Sequence, residues 1–248
     1  MRMAGRVVVV GATGGIGGAL ARRLAARGAS PFLVARDAAK LAHLGAELGV
    51  PWRAADVTDT VALKAAVAEA GTPLSGLVYC VGSILLKPAA RLTEADYLDT
   101  FRLNVLGAAM AVQAATPGLV AGKGAGAPPA SVVLFSSVAA RKGFPSHAAI
   151  GAAKAAVEGL AVSLAAELAP HIRVNVIAPS LTQTQLAEPL TRSPQMAEAI
   201  ARQHPIPRLG TAEDQAALAD FLLSDAAGWI TGQVIGADGG RGVVAGKG

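Results

Sequence analysis

Four consecutive valines, Val7 to Val10, run without a break into Gly11-Ala12-Thr13-Gly14-Gly15-Ile16-Gly17, and a segment with Leu20 and Leu24 on one helical face follows. A β-branched run that turns on glycines straight into a helix is the opening unit of a parallel sheet, because the helix carries the chain back to begin the next strand in the same direction. The rhythm then repeats. Short runs at Arg6–Val10, Ser30–Val34, Trp52–Ala55, Gly76–Cys80, Ser131–Phe135, Arg173–Ile177 and Gln233–Ala237 alternate with longer Ala/Leu-periodic segments. The alternation predicts an α/β chain with a doubly wound, seven-stranded parallel sheet between two layers of helices. Apolar residues make up 52% of the 248 positions and charged ones 16%, as suits a sheet covered on both faces. With no internal repeat and no linker in view, residues 1–248 are expected to form a single domain.

Two stretches break the rhythm. Ala121–Ala130 is rich in Gly and Pro and reads as a surface connection, while Ser180–Gly210 carries four prolines and weak periodicity. The second follows a strand end, where open α/β sheets bind ligands, so a substrate lid at 180–210 is expected; the alternative is a structural excursion at the sheet edge. Cys80 is the single cysteine. It excludes an intrachain disulfide, fits a reducing compartment and reads as a buried strand residue rather than a nucleophile. The opening Met-Arg-Met lacks a signal-peptide pattern and no stretch is read as approaching a membrane span, so a cytoplasmic location is expected. The net charge of +5 comes from scattered basic residues with no stripe or motif for nucleic acid, which argues for a solvated surface.

The glycine turn is chemically suggestive. Glycines let the backbone bend sharply and approach a pyrophosphate, and the helix that follows offers free N–H groups and a partial positive charge. This is the dinucleotide turn of a Rossmann sheet. The second strand ends at Val34-Ala35-Arg36, about twenty residues beyond the turn, where an acidic residue would take the ribose hydroxyls of NAD and an arginine would pair with a 2′-phosphate. Arg36 therefore favours NADP(H) over NAD(H); the alternative is a solvated arginine beside Asp37.

At these residues the chain resembles the short-chain dehydrogenase/reductase family in its single-domain form, from Arg6 to about Gly240. The resemblance implies cofactor contacts from Gly11, Gly15, Ile16 and Gly17, although Val10 stands where a threonine is usual. It implies an adenine contact from Asp56 and Val57, a further cofactor contact from Gly82, and nicotinamide-side contacts from Pro179, Thr182 and Thr184. Asn104 matches the asparagine that helps hold a proton-carrying water, Ser137 the serine that bonds the substrate oxygen, and Lys154 the lysine that grips the nicotinamide ribose. The fourth catalytic position, a tyrosine four residues before that lysine, is Ile150. Isoleucine neither gives nor takes a proton. The strand-four motif has also drifted, to Tyr79-Cys80-Val81-Gly82, and Ser180 replaces a glycine after Pro179.

Losing a positioned general acid costs about 10² to 10⁴ in rate, so a reductase acting through Ser137 and water would be slow but feasible. Among substitute donors, His147 precedes Ile150 in a loop and has a suitable ordinary pKa, with a solvent-facing or subunit-contacting role as its alternative. Tyr79 reads as packing, Tyr97 as structural, and Arg141 with Lys142 as either an anion attractor or a solvated pair. Ile84, Leu85 and Leu86 suggest an apolar pocket. The resemblance implies a homodimer or homotetramer built on the small-residue helices around Asn104 and after Ile150, though those alanines may equally pack within one subunit. Two functions stay open: an NADP(H)-dependent oxidoreductase of a ketone or alcohol with an altered proton path, and a non-catalytic NADP(H)-binding subunit or sensor. No metal site is expected.

Overall fold

The computed structural model describes residues 5–121 and 128–245. Seven strands, β1 (Arg6–Val10), β2 (Ser30–Ala35), β3 (Trp52–Ala54), β4 (Leu74–Tyr79), β5 (Ala130–Phe135), β6 (Ile172–Pro179) and β7 (Val234–Ala237), form one sheet in the order β3-β2-β1-β4-β5-β6-β7. Every pairing is parallel. The doubly wound α/β expectation holds.

The helices are α1 (Gly15–Ala26), α2 (Ala38–Leu48), α3 (Thr60–Ala68), α4 (Glu94–Phe101), α5 (Gly107–Val120), α6 (Ala148–Leu168), α7 (Glu188–Thr191), α8 (Pro194–Ala201) and α9 (Ala212–Leu223). On one face Val7, Val9 and Leu33 meet Leu20 and Leu24 of α1, Leu41 of α2 and Leu222 of α9. On the other, Val8, Val10 and Leu77 meet Leu63 of α3, Ala111 and Leu119 of α5 and Val157 of α6. Alternate residues of β1 therefore supply opposite layers, as the two-residue period of a strand requires. Leu20 and Leu24 are wholly buried, which stabilises the fold by about 1.5–3 kcal/mol each. Chain order reverses between β1 and its neighbours β2 and β4, which opens a crevice at the carboxyl ends of these strands.

Several boundaries differ from expectation. Cys80 lies past the end of β4 and is half-buried rather than a strand residue in the core. The 180–210 excursion contains two short helices that weak periodicity concealed, because its prolines sit in their first turns: Pro189 in α7 and Pro194 in α8. Proline is tolerated there, where an intrahelical N–H partner is absent in any case. Thr182 bridges Gly210, so the excursion leaves and re-enters the fold at one point. Most of the Gly/Pro-rich connection expected at 121–130 lies outside the described residues.

The membrane reading also needs correction. By length and composition two helical segments, Glu94–Val120 and Ala148–Leu168, are long and apolar enough to span a bilayer, the most apolar 18-residue stretch of each having a mean hydropathy of 1.4. Half of that stretch in the first and 44% of it in the second are buried inside the fold. Both segments carry alanines that let helices lie close to the sheet, a use of small residues that a span also shares.

Candidate functional site

The turn between β1 and α1 starts at Gly11, whose φ of +86° is open to glycine and strained for other residues. A Cβ there would meet Val81 Cγ2 at 2.9 Å. The N-terminus of α1 has no side-chain cap and no acidic residue in its first turn. Its N–H groups are left for an anion. A Cβ on Gly15 would lie 2.7 Å from Thr184 Cγ2, so the glycine turn and the segment after β6 stand against one another. The absent Cβ of Gly15 is what permits this close approach.

A cavity of about 330 Å³ continues from this point, and Ile16, Gly82, Lys154, Pro179, Thr182 and Thr184 all line it. Arg36, Asp56 and Val57 lie outside it, at the ends of β2 and β3. Asp56 accepts from the Thr58 hydroxyl at 2.7 Å and its amide at 2.8 Å. These bonds, with Arg36 nearby, hold its carboxyl below the usual range. The Val57 side chain is buried in the core at 5% exposure, so only its backbone is left to face a ligand.

Ser137, Ile150 and Lys154 line the same cavity. Ile150 and Lys154 are one helical turn apart on α6, which puts both on one face. Ser137 Oγ accepts from the Ala139 amide at 3.1 Å; its proton is left to donate. Lys154 is 7% exposed and donates to the Phe135 carbonyl at 3.0 Å. Burial lowers its pKa to about 8, because desolvation disfavours the ammonium form.

Asn104 sits in a π-helical turn, Arg102–Leu106, between α4 and α5. Such turns re-aim side chains at the cost of helix geometry. The Tyr79 hydroxyl holds this one by donating to the Leu103 carbonyl at 2.7 Å. Tyr79 is 2% exposed and burial raises its pKa well above the usual phenol value. It is thereby a packing residue and not a proton donor. Asn104 Nδ2 donates to Ser83 Oγ and the Thr100 carbonyl, whereas its buried Oδ1 has no protein partner. A Cβ on Gly82 would lie 3.3 Å from that oxygen and 3.2 Å from Lys154 Nζ. Glycine keeps the space between the two polar atoms open, and an orphaned buried acceptor beside an amine is a place for a solvent molecule.

The remaining candidates are placed as follows. His147 lines the cavity, its Nδ1 2.7 Å from the Pro145 carbonyl and its ring tilted against Phe144. Arg141 pairs with Glu158 at 2.7 Å and Lys142 donates to the Arg241 carbonyl, so neither reaches into the cavity. Ile84 and Leu86 line it, but Leu85 does not. Cys80 also lines it, with its thiol pushed up to about 12 by burial, and is no ready nucleophile. Tyr97 is 43% exposed on α4 and contributes nothing to the core. Leu186, Ala187, Leu190 and Ile200 of the 180–210 excursion form part of the wall.

Sequence reasoning missed a cluster at that wall, of which Ser180 and Arg241 line the cavity and Gln203 and His204 stand behind them. His204 Nε2 lies 2.8 Å from Ser180 Oγ, Arg241 Nη1 donates to the same oxygen at 3.3 Å, and Arg241 Nη2 donates to Gln203 Oε1. The Ser180 substitution was the only local signal, since His204 and Arg241 lie in segments without a motif.

A family model described as "Enoyl-(Acyl carrier protein) reductase" matches residues 11–241. The chain is 37% identical over 238 residues to galactitol 2-dehydrogenase (L-tagatose-forming) of Cereibacter sphaeroides, covering 94% of this chain and 92% of that protein. It is 33% identical to L-xylulose reductase of Bos taurus, covering 97% and 98%. A solved short-chain type dehydrogenase/reductase from Mycobacterium ulcerans superposes with a TM-score of 0.90 at 34% identity, over 99% of this chain and 92% of that one.

Proposed function

Because the chain belongs to the short-chain dehydrogenase/reductase family, we propose that it is an NADP(H)-dependent oxidoreductase of a ketone or alcohol, in which Ile150 fills the tyrosine position and the proton takes another route. The observation that carries this reading is the meeting of Ser137, Lys154 and Ile150 in one cavity with the nicotinamide-side candidates Pro179, Thr182 and Thr184. The bound cofactor supplies or accepts a hydride. Ser137 donates to the substrate oxygen and stabilises the charge that develops there. Lys154, as its ammonium, then releases a proton through solvent held by Asn104 Oδ1, and the alkoxide takes it up.

The experiment is NADPH oxidation against a panel of ketones. We expect slow turnover by the natural protein and a further loss of about 10²-fold in Ser137→Ala, as for removal of one oxyanion donor. A protein that binds NADPH but turns over none of the panel supports the second reading, a cofactor-binding subunit or sensor, which the buried apolar Ile150 favours.

Arg36 carries the cofactor preference in this reading. Arg36→Ala is expected to weaken NADPH binding about tenfold or more, the loss of one charge-assisted contact to phosphate, and to leave NADH affinity unchanged. Fluorescence titration with both nucleotides checks it, and equal losses for the two would show that Arg36 does not read the phosphate.

We further propose a homodimer or homotetramer. Tyr97, Leu98 and Phe101 on α4, Leu106 beside Asn104, and Val162 on α6 are all exposed. A group of large apolar side chains on helices that line up along one layer supports a subunit contact.

A further inference from the structure

Arg241 is the one guanidinium that lines the Ser137–Lys154 cavity among the described residues. It is half-buried, and burial lowers its pKa from the ordinary arginine value. Its partners are all neutral: Ser180 Oγ, Gln203 Oε1 and the face of Phe144, whose ring centre is 5.0 Å from the guanidinium carbon. The acid nearest in sequence, Asp238, is turned away, with Oδ1 accepting from the Gly240 amide and Oδ2 from the Gly242 amide. Among the described residues Arg241 forms no ion pair, whereas Arg141, Arg202 and Arg208 each do. Drawing a guanidinium out of water without a counter-charge is costly, and a ligand anion offsets that cost.

In this reading the cofactor's phosphates lie at the glycine turn, away from Arg241. The glycine turn borders a separate cavity lined by Thr13, Gly14, Gly15, Arg22, Lys40 and His43, and Arg241 is not part of it. The cavity that Arg241 lines also carries the apolar side chains of Ile84, Leu86, Phe144, Leu190 and Ile200 beside its polar groups. This calls for a ligand with a hydrocarbon body and one anionic group.

We propose that Arg241 binds the carboxylate of the substrate, so that this protein acts on aliphatic oxo- or hydroxy-carboxylates. Planar guanidinium suits a carboxylate, because two N–H groups can donate to its two oxygens. The Phe144 face holds the guanidinium in place from one side. Ser180 adds a hydroxyl whose orientation His204 sets through its 2.8 Å contact. The proposal rests on reading this cavity as the substrate site, so its test separates binding from turnover.

The probes are 5-oxohexanoate and its neutral methyl ester, titrated by calorimetry into protein saturated with NADP⁺, a complex in which a ketone cannot be reduced. The carboxylate is expected to bind at least about tenfold more tightly than the ester. Arg241→Met should remove that preference while leaving NADP⁺ affinity unchanged, and Arg241→Lys should keep part of it. Should Arg241→Met fold poorly, the lysine variant and Gln203→Leu, which loosens the guanidinium without deleting the charge, give the same comparison. Equal affinity for the two probes, binding of neither, or a preference that persists in Arg241→Met would overturn the proposal. NADPH oxidation with the same pair then separates the two readings: a binding preference without turnover leaves the anion site standing and sinks the catalytic assignment.

Discussion

An Ile150→Tyr variant is expected to reduce ketones about 10² to 10⁴ times faster than the natural protein, the usual contribution of a positioned general acid. Ile150 is 5% exposed and lies one turn before Lys154 on the same face of α6. A phenol at that position enters the cavity beside the lysine ammonium, and a neighbouring positive charge lowers a phenol's pKa toward the working range. The cavity of about 330 Å³ gives the larger ring somewhere to go. Ile150→Phe is the control, since it adds the ring without the proton. Initial rates of NADPH oxidation for the three proteins decide the matter: a tyrosine variant no faster than the phenylalanine variant would mean that proton supply is not what limits this site.

Lys154→Met is expected to move activity and stability in opposite directions. Turnover should fall by about 10² or more, because the variant lacks the only proton donor that the proposed route contains. Stability should rise by about 1–3 kcal/mol near neutral pH, since a buried charge without a paired carboxylate is replaced by an apolar chain of similar volume. Among the described residues the Lys154 amine has a single hydrogen bond, to the Phe135 carbonyl, so little is lost in exchange.

The pH dependence follows from the same shift. In the folded protein Lys154 loses its proton near a pKa of about 8, while in the unfolded chain it keeps it to about 10.4. Between these values the unfolded state binds more protons, so this group makes the natural protein more stable as pH rises across that window. Lys154→Met removes that rise. Ketone reduction by the natural protein needs the ammonium and should decline above about pH 8. Denaturant midpoints at pH 7 and pH 10 for both proteins, with rate profiles for the natural one, check all of this together. A reduction rate that stays flat through this range would exclude Lys154 as the donor.

These expectations draw on different depths of the molecule. The strands, the αβα layering and the glycine turn after β1 were legible in the order of residues, because a two-residue period, a helical period and a glycine with positive φ are set by chain neighbours and backbone sterics. Ser137, Ile150 and Lys154 entered as candidates through the family resemblance, and the fold brings them to one cavity, as strand ends and the first turns of a following helix converge on the crevice of a doubly wound sheet. Even here, local rules misled where context competed. Prolines that looked like breakers in 180–210 head two helices, and alanine-rich helices long enough for a bilayer lie half-buried on a sheet.

What the tertiary structure alone decided is which side chains face one another across long sequence separations. Tyr79 holds the π-helical turn of Asn104 from 24 residues away. Arg141 is drawn to Glu158, whereas Arg241 reaches Ser180 across 61 residues. Nothing in the neighbourhood of Arg241 along the chain marks it as a ligand residue. Periodicity records which face of an element is buried, but the meeting of Ser180, Gln203, His204 and Arg241 depends on sheet order and on where the 180–210 excursion returns, and these are set by the packing of the whole chain.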